Sequence, residues 1–108
     1  MSVIQMNTEM FRTYTTTPGK PVLVEFSAPW CVYCRRIAPA LDKLAAQMVD
    51  TLPVGIINID EEKTLAEQEQ IEVVPTLILY RDGQALGSIV APESKAQIES
   101  FIQETLAQ

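Results

Sequence analysis

The stretch EFSAPWCVYCRR, from Glu25 to Arg36, holds the only two cysteines of the chain, Cys31 and Cys34, with the only tryptophan, Trp30, immediately before them. Ahead of it, residues 21–27 (PVLVEFS) form a near-continuous apolar run, the pattern of a strand buried on both faces. Behind it, Ile37, Leu41, Leu44 and Met48 recur at helical spacing, which predicts a helix from about Cys31 to Met48 with these four facing inward. Pro39 inside that helix supplies no N–H and crowds the preceding turn, so a kink is expected there. The cysteine pair therefore stands where a strand hands over to a helix.

That placement has chemical consequences. The first cysteine sits at a helix N-terminus, where free N–H groups and the helix dipole favour negative charge, so its thiol pKa is lowered. The second, three residues on, lies on the same side of the first turn. One thiol can then attack a disulfide while the other resolves the mixed disulfide that results. Two other readings stand beside this reactive dithiol. A zinc site needs four ligands, and with no histidine and no third cysteine only carboxylates or a second chain would complete it. A structural staple would close too short a loop to constrain the unfolded chain much, and would be unusual in a reducing compartment. A pair of this spacing beside a strand–helix pattern favours the redox reading.

Working outward, residues 7–14 (NTEMFRTY) read as a short helix with Asn7 as its cap and Met10 and Tyr14 on one face. TTTPGKP (15–21) is a connection, LPVGIINID (52–60) another buried strand, and residues 61–70 a third helix. Residues 76–90 (TLILYRDGQALGSIV) predict a hairpin turning at Asp82–Gly83. The last helix, 93–107, turns Ile98, Phe101, Ile102 and Leu106 inward, and Ser94 and Gln97 have capping-box spacing at its start. The order is helix, strand, helix, strand, helix, strand, strand, helix. Alternation in the first half requires parallel strands, and the closing hairpin adds antiparallel ones. The expectation is an α/β fold with a central mixed sheet and helices on both faces.

A length of 108 residues suits a single domain spanning 1–108. No apolar run approaches the ~18 residues of a membrane span. MSVIQMNTEMF lacks the basic start and apolar core of a secretory signal, so a cytoplasmic location is expected. A net charge of −6 would repel nucleic-acid phosphates. Acidic stretches such as EEKTLAEQEQ read as a solvated helix surface.

Taken together, VLVEFSAPWCVYC, RRIAPALDKLA with its Pro39, VGIINID, VVPTLILYRDG and the final helix resemble thioredoxin over nearly the whole chain. The combination of Trp-Cys-x-x-Cys with a later apolar-Pro-Thr is specific. The resemblance implies the thioredoxin fold and electron transfer by a reversible Cys31–Cys34 disulfide, with no bound cofactor and no metal. It makes Cys31 the exposed nucleophile and Cys34 the more buried resolving thiol. Trp30, Val32 and Tyr33 become a platform for substrate, within an exposed apolar rim completed by Val73, Val74 and Pro75. Pro75 takes the place of a proline with a cis peptide bond facing the disulfide, and Val74 that of a residue whose backbone pairs with an extended substrate segment. The implied partners are disulfide-containing substrate proteins and an electron donor of the thioredoxin-reductase type, and the implied state is a monomer.

The chain also departs from the family pattern. Glu25 interrupts the apolar strand, so its burial is expected. Desolvation raises a buried carboxyl's pKa, which suits a general acid or base near neutral pH. Thioredoxins usually have the shorter aspartate here, serving Cys34, with a lysine nearby where this chain has Ile56. Val32-Tyr33 replaces the usual Gly-Pro, which bears on thiolate stability and redox poise. Ser27 replaces a tryptophan, and Ala91 a glycine beside the substrate groove. Arg35 and Arg36 stand just past the pair. The leading expectation is a protein-disulfide reductase. A more oxidising thiol oxidase or isomerase, and a binding module that seldom turns over, are the alternatives.

Overall fold

The computed structural model describes residues 2–108. Five strands and four helices follow in the order β1 (Val3–Gln5), α1 (Thr8–Thr16), β2 (Val22–Ser27), α2 (Val32–Gln47), β3 (Val54–Asn58), α3 (Lys63–Gln68), β4 (Thr76–Arg81), β5 (Gln84–Val90) and α4 (Lys95–Leu106). They form one mixed sheet ordered β1-β3-β2-β4-β5. β3 runs parallel to β1 and β2, while β4 is antiparallel to both β2 and β5. The expected architecture is present, with β1 as an additional edge strand ahead of the first helix. Three residues, none of them fully buried, are too few to establish an alternation in sequence.

All six residues of β2 are buried, as a central strand between two layers of helix requires. One face carries Leu23, which joins Val54, Leu77 and Leu79 beneath the α2 residues Ile37, Leu41 and Leu44 and the α4 residues Ile98 and Ile102. The opposite face carries Val24 and Phe26 among Phe11, Ile57, Leu65 and Tyr80, closed by α1 and α3. The fully buried residues of α1 are Phe11 and Thr15, whereas Met10 and Tyr14 are half-buried at the margin. That helix is rolled by one position from the orientation its sequence suggested.

Local chemistry sets the ends of these elements. The Asn7 side chain accepts a hydrogen bond from Met10 N at 2.8 Å, and Ser94 Oγ accepts one from Gln97 N at 3.1 Å. The hairpin turns at Asp82–Gly83, both with positive φ, 53° and 77°, as a type I′ turn demands. Pro39 lies on the exposed side of α2, and the helix runs on through it to Gln47. No helix among the described residues is long and apolar enough to cross a membrane.

Candidate active site

β2 ends at Ser27, and four residues later α2 begins with Cys31 as its N-cap. Ala28, Cys31 and Cys34 form a small buried cluster covered by Ile59 and Val74. Cys31 and Cys34 are joined as a disulfide, with 5.3 Å between their Cα atoms. Cys31 Sγ accepts a hydrogen bond from Cys34 N at 3.1 Å. The first sulfur therefore receives one of the free N–H groups of the helix start, the arrangement that favours a thiolate when the bond is reduced. The expected contrast in exposure is absent from this oxidised form. Cys31 is 4 % exposed and Cys34 5 %, because the capping position tucks Cys31 between its partner and the loop before β4.

That loop presents Val74 and Pro75, joined by a cis peptide bond. Cys31 Sγ lies 3.6 Å from the Val74 carbonyl oxygen. The loop is held by Thr76 Oγ1 donating to Val73 O at 2.5 Å and by Ala91 N donating to Pro75 O at 2.9 Å. Val74 makes no backbone hydrogen bond among the described residues. Ala91 has φ +46°, in the left-handed region that favours glycine. This geometry explains why a glycine is the usual residue there.

Around the disulfide, Trp30, Val32, Tyr33 and Val73 are each at least half exposed. Pro75, expected on this rim, is buried and supports it from beneath. Trp30 Nε1 donates to Asp60 Oδ2 at 3.0 Å, which orients the exposed indole. The Arg36 guanidinium stands 5.3 Å from the centre of the Tyr33 ring, one helical turn away. Neither contact follows from the sequence alone. The Tyr33–Arg36 spacing was visible, whereas Asp60 comes beside the motif only through the parallel pairing of β2 and β3.

Glu25 lies beneath this surface, 1 % exposed. By strand alternation it shares the face of Leu23, the face under α2. Its register neighbours are Ile56 on β3 and Leu77 on β4. No protein group donates to its Oε2. Burial pushes the carboxyl from 4.5 to about 7, the Ser27 hydroxyl opposes that rise by hydrogen bonding, and the Asp42 charge adds to it. With Ile56 beside it, no cation stands in the strand register to draw the value back down.

The chain matches the thioredoxin family model over residues 2–104. It is 36 % identical over 105 residues to a thioredoxin of Acidithiobacillus ferridurans, covering 97 % of each chain. It is 38 % identical over 86 residues to thioredoxin 1 of Synechococcus elongatus, covering 80 % of each. The fold overlays that of Malassezia sympodialis thioredoxin with a TM-score of 0.87 at 24 % identity, covering 96 % of this chain and 90 % of that one. The chain belongs to the thioredoxin family, and with its paired cysteines it is a thiol–disulfide oxidoreductase.

Proposed function

We propose that this single-domain protein is a cytoplasmic protein-disulfide reductase that works as a monomer and is recharged by an electron donor of the thioredoxin-reductase type. The observation that carries the direction of attack is the Cys34 N–H donated to Cys31 Sγ. It selects Cys31 as the thiolate. The Val74 backbone, unpaired and beside that sulfur, offers an extended substrate segment a strand to pair with. Trp30, Val32 and Tyr33 supply apolar contact around it, and Ala91 borders the groove.

In this reading Cys31 thiolate attacks one sulfur of the substrate disulfide, forming a mixed disulfide and expelling the other sulfur as a thiolate, which takes a proton from water. Cys34 then gives its proton to the Glu25 carboxylate and attacks Cys31 Sγ. The Cys31–Cys34 bond forms, the bond to substrate breaks, and the second substrate sulfur leaves with the electron pair. Two electrons have passed from the dithiol to the substrate, and no cofactor takes part. A Glu25 pKa of about 7 suits it to accept and return a proton near neutral pH.

The Cys34→Ser variant tests the assignment. It should trap substrate proteins on Cys31 as mixed disulfides that dithiothreitol releases. A variant that keeps partners only non-covalently would indicate a binding module instead. The reduction potential of the Cys31–Cys34 couple, followed by Trp30 fluorescence against dithiol buffers, should fall at the reducing end of the protein-dithiol range. A value toward the oxidising end would assign the chain to thiol oxidation or isomerisation.

A further inference from the structure

The residues between and just after the cysteines form one wall of a cavity. Tyr33 and Arg36 are exposed on the first turns of α2, and the Arg36 guanidinium stands over the Tyr33 ring. The loop joining β5 to α4 supplies the other wall. Together Tyr33, Arg36, Ile37, Ala91, Pro92 and Glu93 line a cavity of about 540 Å³. Clefts that hold small ligands measure roughly 300–1,000 Å³. The cavity adjoins the catalytic pair through both walls. Tyr33 lies between Cys31 and Cys34 in the chain. Ala91 N donates to Pro75 O at 2.9 Å, which ties the far wall to the loop that carries Val74.

We propose that Arg36, held on Tyr33, is a specificity-determining residue that favours substrate disulfides with a carboxylate side chain next to the attacked cysteine. The proposal rests on Cys31 being the attacking thiolate, and it names a substrate class for that site. A guanidinium resting on an aromatic ring keeps N–H groups free to pair with a carboxylate. Among the described residues Arg36 forms no ion pair, although the chain has 14 acidic residues against 8 basic ones. Its charge is therefore available to a substrate. Glu93 is the other charged residue lining the cavity. Its backbone N–H donates to Gln97 Oε1 at 2.6 Å, while its carboxylate is exposed and forms no ion pair among the described residues. Arg36 is thus the charge anchored against the cavity wall, and Glu93 is the one free to swing away. The other acids of the rim lie elsewhere. Asp60 is bonded to Trp30, and Glu69 and Glu72 line a separate cavity with Val73 and Val90. A substrate segment paired with Val74 therefore meets anchored positive charge toward Tyr33 and negative charge toward Val73.

Short peptides with one cysteine, held as a mixed disulfide with 2-thiopyridine, provide the test. The Cys31 thiolate of the reduced protein attacks the peptide sulfur, and a Cys31–peptide disulfide forms. The thiopyridine leaves with the electron pair, takes a proton from water and is followed by its absorbance. Cys34 then displaces the peptide thiolate. The peptides carry Glu, Gln or Lys beside the cysteine, on each side in turn. At low salt the second-order rate constant should be about 2–5-fold higher for Glu than for Gln on one of those sides, the size of an exposed charge pair, and lowest for Lys. The net charge of −6 acting as a global field predicts the reverse order. Arg36→Gln should abolish the preference, Arg36→Glu should invert it and Tyr33→Leu should reduce it. Arg35→Gln removes the same charge from a neighbouring position outside the cavity and should keep it. Equal rates, a faster Lys peptide, or a Glu preference that survives Arg36→Gln would overturn the Arg36 role and leave the Cys31 reading standing. If Cys31→Ser releases thiopyridine as fast as the wild type, the Cys31 reading fails and the Arg36 role falls with it.

Discussion

Glu25 and Phe26 are neighbours on one strand, both almost wholly buried, and they face environments that obey different rules. Phe26 meets Phe11 at 6.1 Å between ring centres, and Phe11 in turn meets Tyr80 at 5.0 Å, both edge to face. The polar atom in that group is matched, since Tyr80 Oη donates to Glu69 Oε1 at 2.6 Å. On the other face Glu25 holds an oxygen that no protein group satisfies. The aromatic face is arranged for stability alone. The Glu25 face gives up stability at one buried, unpartnered oxygen, the point at which the proposed proton transfer would take place.

The largest test of this contrast is Phe26→Ala. Deleting a fully buried ring should lower unfolding stability by about 3–5 kcal/mol, measured by urea denaturation, with a loss that is the same at pH 5 and pH 8. Glu25→Gln should act in the opposite direction and depend on pH. The folded carboxyl has its pKa raised from 4.5 to about 7. Between those values the native state holds a proton that the unfolded state has released, so stability falls as pH rises through this window and levels off above it. The displacement corresponds to roughly 3 kcal/mol at pH 8. Glu25→Gln should recover most of that and flatten the pH dependence of the oxidised protein. A wild-type stability that does not fall between pH 4.5 and 7.5 would mean that Glu25 has found a partner. On the matched side, Tyr80→Phe should cost about 1–2 kcal/mol, because it strips a half-buried carboxylate of its donor.

The sequence made much of this legible, for identifiable reasons. Strand β2 and helix α2 announce themselves through a near-continuous apolar run and a 3.6-residue stripe, and the mixed character of the sheet follows from alternation and a closing hairpin. The burial of Glu25 was readable because a lone acid sat inside that run. Edge strand β1 was not, since three partly covered residues carry no period. The roll of α1 was hidden because Phe11 and Tyr14 are equally plausible as inward residues until β4 supplies Tyr80 as a partner for one of them. Asp60 as the anchor of Trp30 exists only once β3 lies parallel to β2.

The smallest test sits at the edge of the site. Gln70, Asp82 and Ala91 all adopt positive φ without being glycine. Asp82 is compensated, since its Oδ1 accepts a hydrogen bond from Gly19 N at 2.8 Å and aspartate tolerates this region. Ala91 has no side-chain polar group with which to gain anything in return. A left-handed conformation costs an L-residue about 1–2 kcal/mol; glycine removes that strain, and the larger entropy of its unfolded chain offsets part of the gain. Ala91→Gly should therefore stabilise the protein by roughly 0.5–1 kcal/mol, a rise of a few degrees in Tm, whereas Asp82→Gly should lower it. Both Tm values are read in the same calorimeter under oxidising conditions. If Ala91→Gly lowers the Tm instead, the methyl group is contributing packing worth more than the strain. The groove beside Val74 would then be shaped by that side chain and not merely burdened by it.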